Sequence, residues 1–171
     1  MRRALLFFVL VVLTGCTLDT VRSKPLGAQA NAPGNTYLGA PEVVTYHPSL
    51  NVDLSTMAQS STGLYWKDLV VGTGAEAVQG SFAVVEYTGW LPEGRKFDSS
   101  KDAGQPFSFP VGRKRVIAGW DEGVAGMRVG GRRLLVIPPS LGYGASGMGG
   151  VIPGNATLIF EVELLDVRSG S

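Results

Sequence analysis

The sequence predicts an α+β domain, a largely antiparallel sheet with one short helix packed across it. Three observations carry that prediction. ATLIFEVELLDV, Ala156 to Val167, puts Leu158, Phe160, Val162 and Leu164 on one face and Glu161 and Glu163 on the other, the period of a strand. Only VIAGWDEGVAGM, Val116 to Met127, spaces its apolar residues as a helix does. Strands and helices do not alternate along the chain, as a doubly wound parallel sheet requires.

The N-terminus is expected to lie outside that domain. Met1-Arg2-Arg3 precedes an unbroken apolar run from Ala4 to Leu13. Such a run is too short to span about 30 Å of hydrocarbon as a permanent helix. The pattern is that of a secretory signal peptide over residues 1–15. It ends in LTGC, Leu13 to Cys16, and Cys16 is the only cysteine in the chain. This ending resembles the bacterial lipobox. The resemblance implies that the preceding peptide is removed and that the Cys16 thiol is acylated. The chain would then be extracytoplasmic, anchored by lipid to a bacterial membrane on its periplasmic face or at the cell surface. Each buried methylene contributes about 0.8 kcal/mol, so several acyl chains hold firmly. Thr17, where an aspartate would favour inner-membrane retention, points weakly to an outer membrane if the cell has one. With one cysteine, no disulfide can form within the chain.

Residues 16–61 read as the lipidated N-terminus and a flexible linker. They carry KPLGAQANAPGN, with Pro25, Pro33, Pro41 and Pro48, and no sustained period. About forty flexible residues would span roughly 35 Å, enough to lift a domain off a membrane. Val43, Val44, Tyr46, Leu50, Val52 and Leu54 depart from the polar pattern, and some of them can pack on the domain as an extended segment. His47, the only histidine, falls in this tract and reads as a linker residue, not a base or ligand.

The domain is expected over residues 62–171. GLYWKDLVVGTG, from Gly63, reads as a strand ending in a turn. SFAVVEYTGWL, from Ser81, is a second, rich in β-branched and aromatic residues. RRLLVIP, from Arg132, is a third, stopped by Pro138-Pro139. In the helical stretch Ile117, Trp120, Val124 and Met127 share a face, while Gly119, Gly123 and Gly126 weaken it.

Composition and motifs exclude several function classes. Fifteen Lys and Arg nearly balance fourteen Asp and Glu, so nothing in the totals suggests nucleic acid. Arg113-Lys114-Arg115 and Arg132-Arg133 read as solvated surface clusters. KFDSS, Lys96 to Ser100, places an acid beside two hydroxyls, but no histidine follows Gly63 and no nucleophile motif surrounds Ser99 or Ser100. No cofactor is expected, and no metal, because that stretch has neither histidine nor cysteine and its acids are scattered. A carboxylate pair of Asp98 with Glu86 stays open. GYGASGMGG, Gly142 to Gly150, lacks the lysine and following helix of a phosphate loop. What remains is a high density of aromatics: Tyr87, Trp90, Phe97, Phe107, Phe109, Trp120, Tyr143 and Phe160. An apolar pocket with a few polar groups at its mouth is one arrangement that uses them.

VVEYTGWLPEGRKFDSS, PFSFPVGRKRVIAGWDEGVAGMRVGGRRLLVIPPSLGYG and VIPGNATLIFEVELL resemble the FKBP-type peptidyl-prolyl isomerases, the tacrolimus-binding immunophilins. The likeness runs from about Gly63 to Val167. It implies a curved antiparallel sheet wrapped around one short helix. It also implies a pocket with Trp120 as its floor and Tyr87, Phe97, Phe107 and Phe160 as walls. Val116 and Ile117 would line a rim, the latter offering its backbone N–H. Tyr143 would present a phenol, Val151 and Ile152 would close the loop side, and Asp98 would be the pocket aspartate. Met148 stands where a histidine is common in the family, and Leu141 where a tyrosine often is. The implied substrates are unfolded or partly folded proteins with Xaa-Pro bonds, and the implied inhibitors are macrolides such as tacrolimus and rapamycin. A monomer is expected. The alternative class is a proline-binding module at the membrane with little catalysis.

Overall fold

The computed structural model describes residues 36–169. The signal peptide expected over residues 1–15, Cys16 and the expected linker as far as residue 35 lie outside the described residues. The elements run β1 (Ala58–Gln59), β2 (Tyr65–Val70), β3 (Phe82–Trp90), β4 (Lys96–Ser99), α1 (Ser100–Ala103), β5 (Phe107–Pro110), α2 (Ala118–Gly123), β6 (Arg132–Ile137) and β7 (Leu158–Arg168). All pairings are antiparallel, in the order β1-β2-β6-β7-β3-β4, with β5 beside β3. The α+β expectation holds, with an open antiparallel sheet and few short helices. A one-turn helix, α1, joins the single one expected.

The strand period predicted for Leu158–Leu164 is the one observed. Leu158, Phe160, Val162 and Leu164 are buried in the main core with Leu135, Ile137, Val85, Val124 and Met127. The helix α2 covers this face and is shorter than its apolar spacing suggests, because Gly126 takes a left-handed φ of 77° and turns the chain. Its glycines have a packing reason. A Cβ on Gly119 would lie 2.5 Å from Ile137 Cγ2, and one on Gly123 2.7 Å from Leu135 Cδ2. Helix and strand touch backbone to side chain, which any larger residue prevents.

The other face of the sheet is apolar too. Tyr65, Leu134, Val136 and Ile159 form a second buried cluster. Residues 36–61 cover it, and here the linker reading needs correction. Tyr46, Leu50, Val52, Leu54 and Met57 pack on that cluster beside Trp90. The segment is also fastened by its backbone. Gly39 N–H donates to Asn155 O (2.8 Å), Thr157 Oγ1 to Gly39 O (2.6 Å), and His47 N–H to Pro92 O (2.7 Å). Strand β1 pairs with β2 at Ala58↔Trp66 and Gln59↔Tyr65. Pro41 and Pro48 begin 3₁₀ turns, where the missing N–H costs nothing. Residues 36–61 are therefore a strap on the domain. His47 lies exposed on it, its Nδ1 2.8 Å from Ser49 Oγ.

Candidate active site

The edge of β3 carries two short strands instead of one long one. Phe82–Val85 pairs with β5, and Thr88–Trp90 pairs with β4. Between them, the N–H of Tyr87 has no strand partner on that edge and donates to Ser100 Oγ at 2.9 Å. Ser99 Oγ donates to Tyr87 O at 3.1 Å and lies 3.0 Å from Thr88 Oγ1. Both serines are buried and committed to this clasp. They fix the junction where β4 passes into α1 and are not arranged as nucleophiles.

The clasp holds Tyr87 toward α2. Trp120, 4 % exposed, is the hub of an aromatic cluster. Tyr87 meets it edge-on at 4.9 Å between centroids, Phe160 at 5.3 Å and Phe107 at 6.0 Å, while Phe109 lies tilted to it at 5.5 Å. Phe97 stands edge-on to Phe160 at 5.4 Å. Edge-to-face contacts of this kind add about 0.5–1.5 kcal/mol per pair beyond burial. Trp120 Nε1 is buried with no hydrogen-bond partner among the described residues.

These rings enclose one side of a cavity of about 280 Å³. Tyr87, Phe97, Asp98, Phe107, Val116, Ile117, Trp120, Tyr143, Met148 and Phe160 line it. Val151 and Ile152 do not. The turn from Met148 to Ile152 is closed by Met148 N–H to Ile152 O (2.9 Å) and Ile152 N–H to Met148 O (3.0 Å). It leaves Val151 41 % exposed and Ile152 buried in the core. Val151 instead accepts a hydrogen bond through its carbonyl from Arg95 Nη2, 2.9 Å. Leu141 packs on the core and not on the cavity.

Two residues at the site were not anticipated. Arg115 lines the cavity, although its basic run reads as surface. Gly89 makes the room: a Cβ there would lie 2.7 Å from both Phe160 Cε1 and Phe97 Cζ. The available signal was a glycine inside an otherwise β-branched and aromatic strand, which marks close approach.

The electrostatics are simple. Asp98 is the cavity's only carboxylate, because Glu86 alternates to the opposite face of β3 and pairs with Lys101 at 3.7 Å. The carboxylate pair left open by the sequence does not form. Asp98 Oδ2 accepts from Tyr87 Oη at 2.6 Å and Oδ1 from Ser99 N–H at 2.9 Å. Burial, then the Asp98 hydrogen bond and charge, holds the Tyr87 phenol well above its usual range. Burial and the Asp98 charge push Tyr143 upward as well. Both phenols are therefore neutral donors near pH 7.

An aromatic cavity, with neutral phenols and one hydrogen-bonded carboxylate at its mouth, is suited to hold a peptide and not to cleave one. Residues 74–165 match the family model described as FKBP-type peptidyl-prolyl cis-trans isomerase, and the chain belongs to that family. It is accordingly a peptidyl-prolyl cis-trans isomerase. It is 59 % identical over 105 residues to the "FK506-binding protein" of Neisseria meningitidis serogroup B, covering 61 % of this chain and 96 % of that protein. It is 59 % identical over 84 residues to "FK506-binding protein 2" of Dictyostelium discoideum, covering 49 % and 63 % of the two chains. The crystal structure of FkpA from Escherichia coli superposes with a TM-score of 0.63 at 42 % identity, covering 68 % of this chain. The match spans about half of that protein, 53 % of its length.

Proposed function

We propose that the aromatic cavity turns Xaa-Pro bonds in unfolded or partly folded proteins outside the cytoplasm, with the chain tethered through lipid on Cys16. The observation that carries the site assignment is the ring cluster on Trp120 beside the Tyr87–Asp98 hydrogen bond. Rotation about a peptide bond meets a barrier of about 18–20 kcal/mol, and for prolyl bonds it takes tens to hundreds of seconds. The planar amide is conjugated and polar, with charge on its oxygen. At the twist that conjugation is lost and the carbonyl is less polar. An apolar cavity withholds water from the planar amide and so favours the twisted one, a difference in binding between ground and transition state. Each 1.4 kcal/mol of that difference is about tenfold in rate. No proton moves and no bond breaks, so the site needs neither base nor nucleophile.

In this reading the side chains have separate roles. Trp120 and Phe160 seat the proline ring; Tyr87, Phe97 and Phe107 wall it. Val116 and Met148 form the rim, and the Ile117 N–H meets a substrate carbonyl. Asp98 orients the Tyr87 phenol, and Tyr143 offers a second donor. Macrolides such as tacrolimus and rapamycin occupy the same cavity as inhibitors in this reading, which the two relatives' names support for tacrolimus (FK506). The test is isomerisation of a chromogenic Xaa-Pro peptide with and without tacrolimus. The reading expects acceleration that tacrolimus abolishes competitively. Tight tacrolimus binding without acceleration would make the chain a binding module instead.

A further inference from the structure

Arg115 is the one cation among the described residues that lines the cavity. It belongs to the run Arg113-Lys114-Arg115, in the connection between β5 and α2. All three residues are exposed, and none forms an ion pair or side-chain hydrogen bond among the described residues. The cluster is thus free to act on something else.

Its backbone is fixed, however. Asp121, on α2, accepts the Gly112 N–H through Oδ1 at 3.0 Å and the Lys114 N–H through Oδ2 at 2.7 Å. Lys114 holds a left-handed φ of 55°, a conformation that L residues other than glycine and asparagine seldom adopt. Such a geometry persists only where its surroundings over-determine it, and the two Asp121 contacts do so. The turn is therefore pinned to the helix that bears Trp120, and the next residue along is Arg115 at the cavity wall.

The charges at the mouth are unequal. Asp98 has a hydrogen bond at each oxygen, from Tyr87 Oη and from Ser99 N–H. Asp121 is occupied by the backbone of the turn. The Arg115 guanidinium keeps its donors. A guanidinium in that state pairs best with a carboxylate, which matches its fork of N–H groups. Peptide binding also displaces water from the mouth and strengthens the attraction.

We propose that Arg115 selects substrates that carry an aspartate or glutamate next to the proline. The inference rests on the cavity being the isomerase site. Selection adds a polar preference to an apolar pocket, and it acts on the encounter with substrate more than on the rotation.

The test measures kcat/KM of the full chain on a peptide set. One group places Leu, Glu or Lys before the proline; a second places them after it. Each is run at low salt and at about 0.5 M salt, where a charge preference is screened. Glu is expected to exceed Lys by about 3- to 5-fold at low salt in one of the two positions, the scale of a partly exposed ion pair. The ratio is expected to fall toward one at high salt and in Arg115→Gln, and to invert in Arg115→Glu. A Glu-to-Lys ratio of one in both positions, or a ratio unmoved by Arg115→Gln, overturns the selection while leaving the isomerase site standing. Failure to accelerate any peptide removes the site and the selection together.

Discussion

Tyr87 and Asp98 are joined by a hydrogen bond of 2.6 Å from Oη to Oδ2 at the mouth of the cavity. The bond joins two strands, β3 and β4, and fixes the orientation of the phenol whose ring packs on Trp120. Removing either side leaves the other without its fixed partner. Tyr87→Phe, which removes the donor, and Asp98→Ala, which removes the acceptor, are each expected to lower kcat/KM by about tenfold, close to the ~1.5 kcal/mol at the low end for a bond to a charged group. The double variant should be no worse than the worse single one. Peptide kinetics on the three variants checks this; losses that multiply would show the residues to act independently.

Raised phenol pKa values predict the pH behaviour. Tyr87 and Tyr143 remain protonated in the folded chain above the usual phenol value of about 10. Tyr46 does too, through burial first and then the nearby Glu42 and Tyr65. A raised folded-state pKa means the unfolded chain releases its proton first as pH rises. The stability from these three tyrosines is thus complete below about pH 10 and declines above it. Urea midpoints at stepped pH are expected to be flat for this contribution through the neutral range and to fall beyond pH 10. The isomerisation rate should be flat from about pH 6 to 9, because no general acid or base is used. A bell-shaped rate profile there would contradict the proposed mechanism.

Gly89 gives a steric test. In Gly89→Ala, the new methyl group would press on the rings of Phe97 and Phe160 together. Overpacking of this kind costs about 1–3 kcal/mol. The larger expected effect is on the peptide assay, because both displaced rings are walls of the cavity. Activity should fall by more than tenfold while the far-UV spectrum stays native. Unchanged kcat/KM would mean that neither ring's position matters.

The strap has a stability role that can be measured. Val136 and Ile159 are fully buried with it in place. A chain starting at residue 61 exposes that face and should be several kcal/mol less stable by area, with a tendency to associate. Leu50→Ala and Leu54→Ala should each cost about 1–2 kcal/mol, less than a deep core truncation because both are only partly buried. Denaturant midpoints decide it: a shortened chain as stable as the full one would reduce the strap to a passive cover.

Lipidation is tested apart from the fold. The mature N-terminal peptide is expected to begin at Cys16 and to carry acyl mass by mass spectrometry. Cys16→Ser should move the protein from the detergent phase to the aqueous phase and leave kcat/KM unaltered. Retention in the detergent phase would place the anchor elsewhere.

Much of this was legible along the chain because it depends on local period. The alternation from Leu158 to Leu164 sets which side chains enter the core, since a strand sends successive residues to opposite faces. The helical spacing around Trp120 announced an element needing a sheet beneath it. The convergence of Tyr87, Phe97, Trp120 and Phe160 was readable only through family resemblance, because residues so far apart in sequence show no local sign of meeting.

What tertiary structure alone decided has one physical origin: contact between elements distant in the chain. Prolines 41 and 48 suggested a linker by local propensity, yet the strap is held because Val136 and Ile159 would otherwise face water. Consecutive apolar residues in LLVI and LIF were the hint that both sheet faces are covered. Ile152 is drawn into the core by a turn that closes on Met148, so it leaves the cavity. Arg115 looks like any surface cation until Asp121 pins its turn beside the aromatic wall. Sequence by itself determined the four longer strands, the helix that bears Trp120 and the supply of rings; only packing chose which residues share the cavity, because a cavity is bounded by neighbours in space.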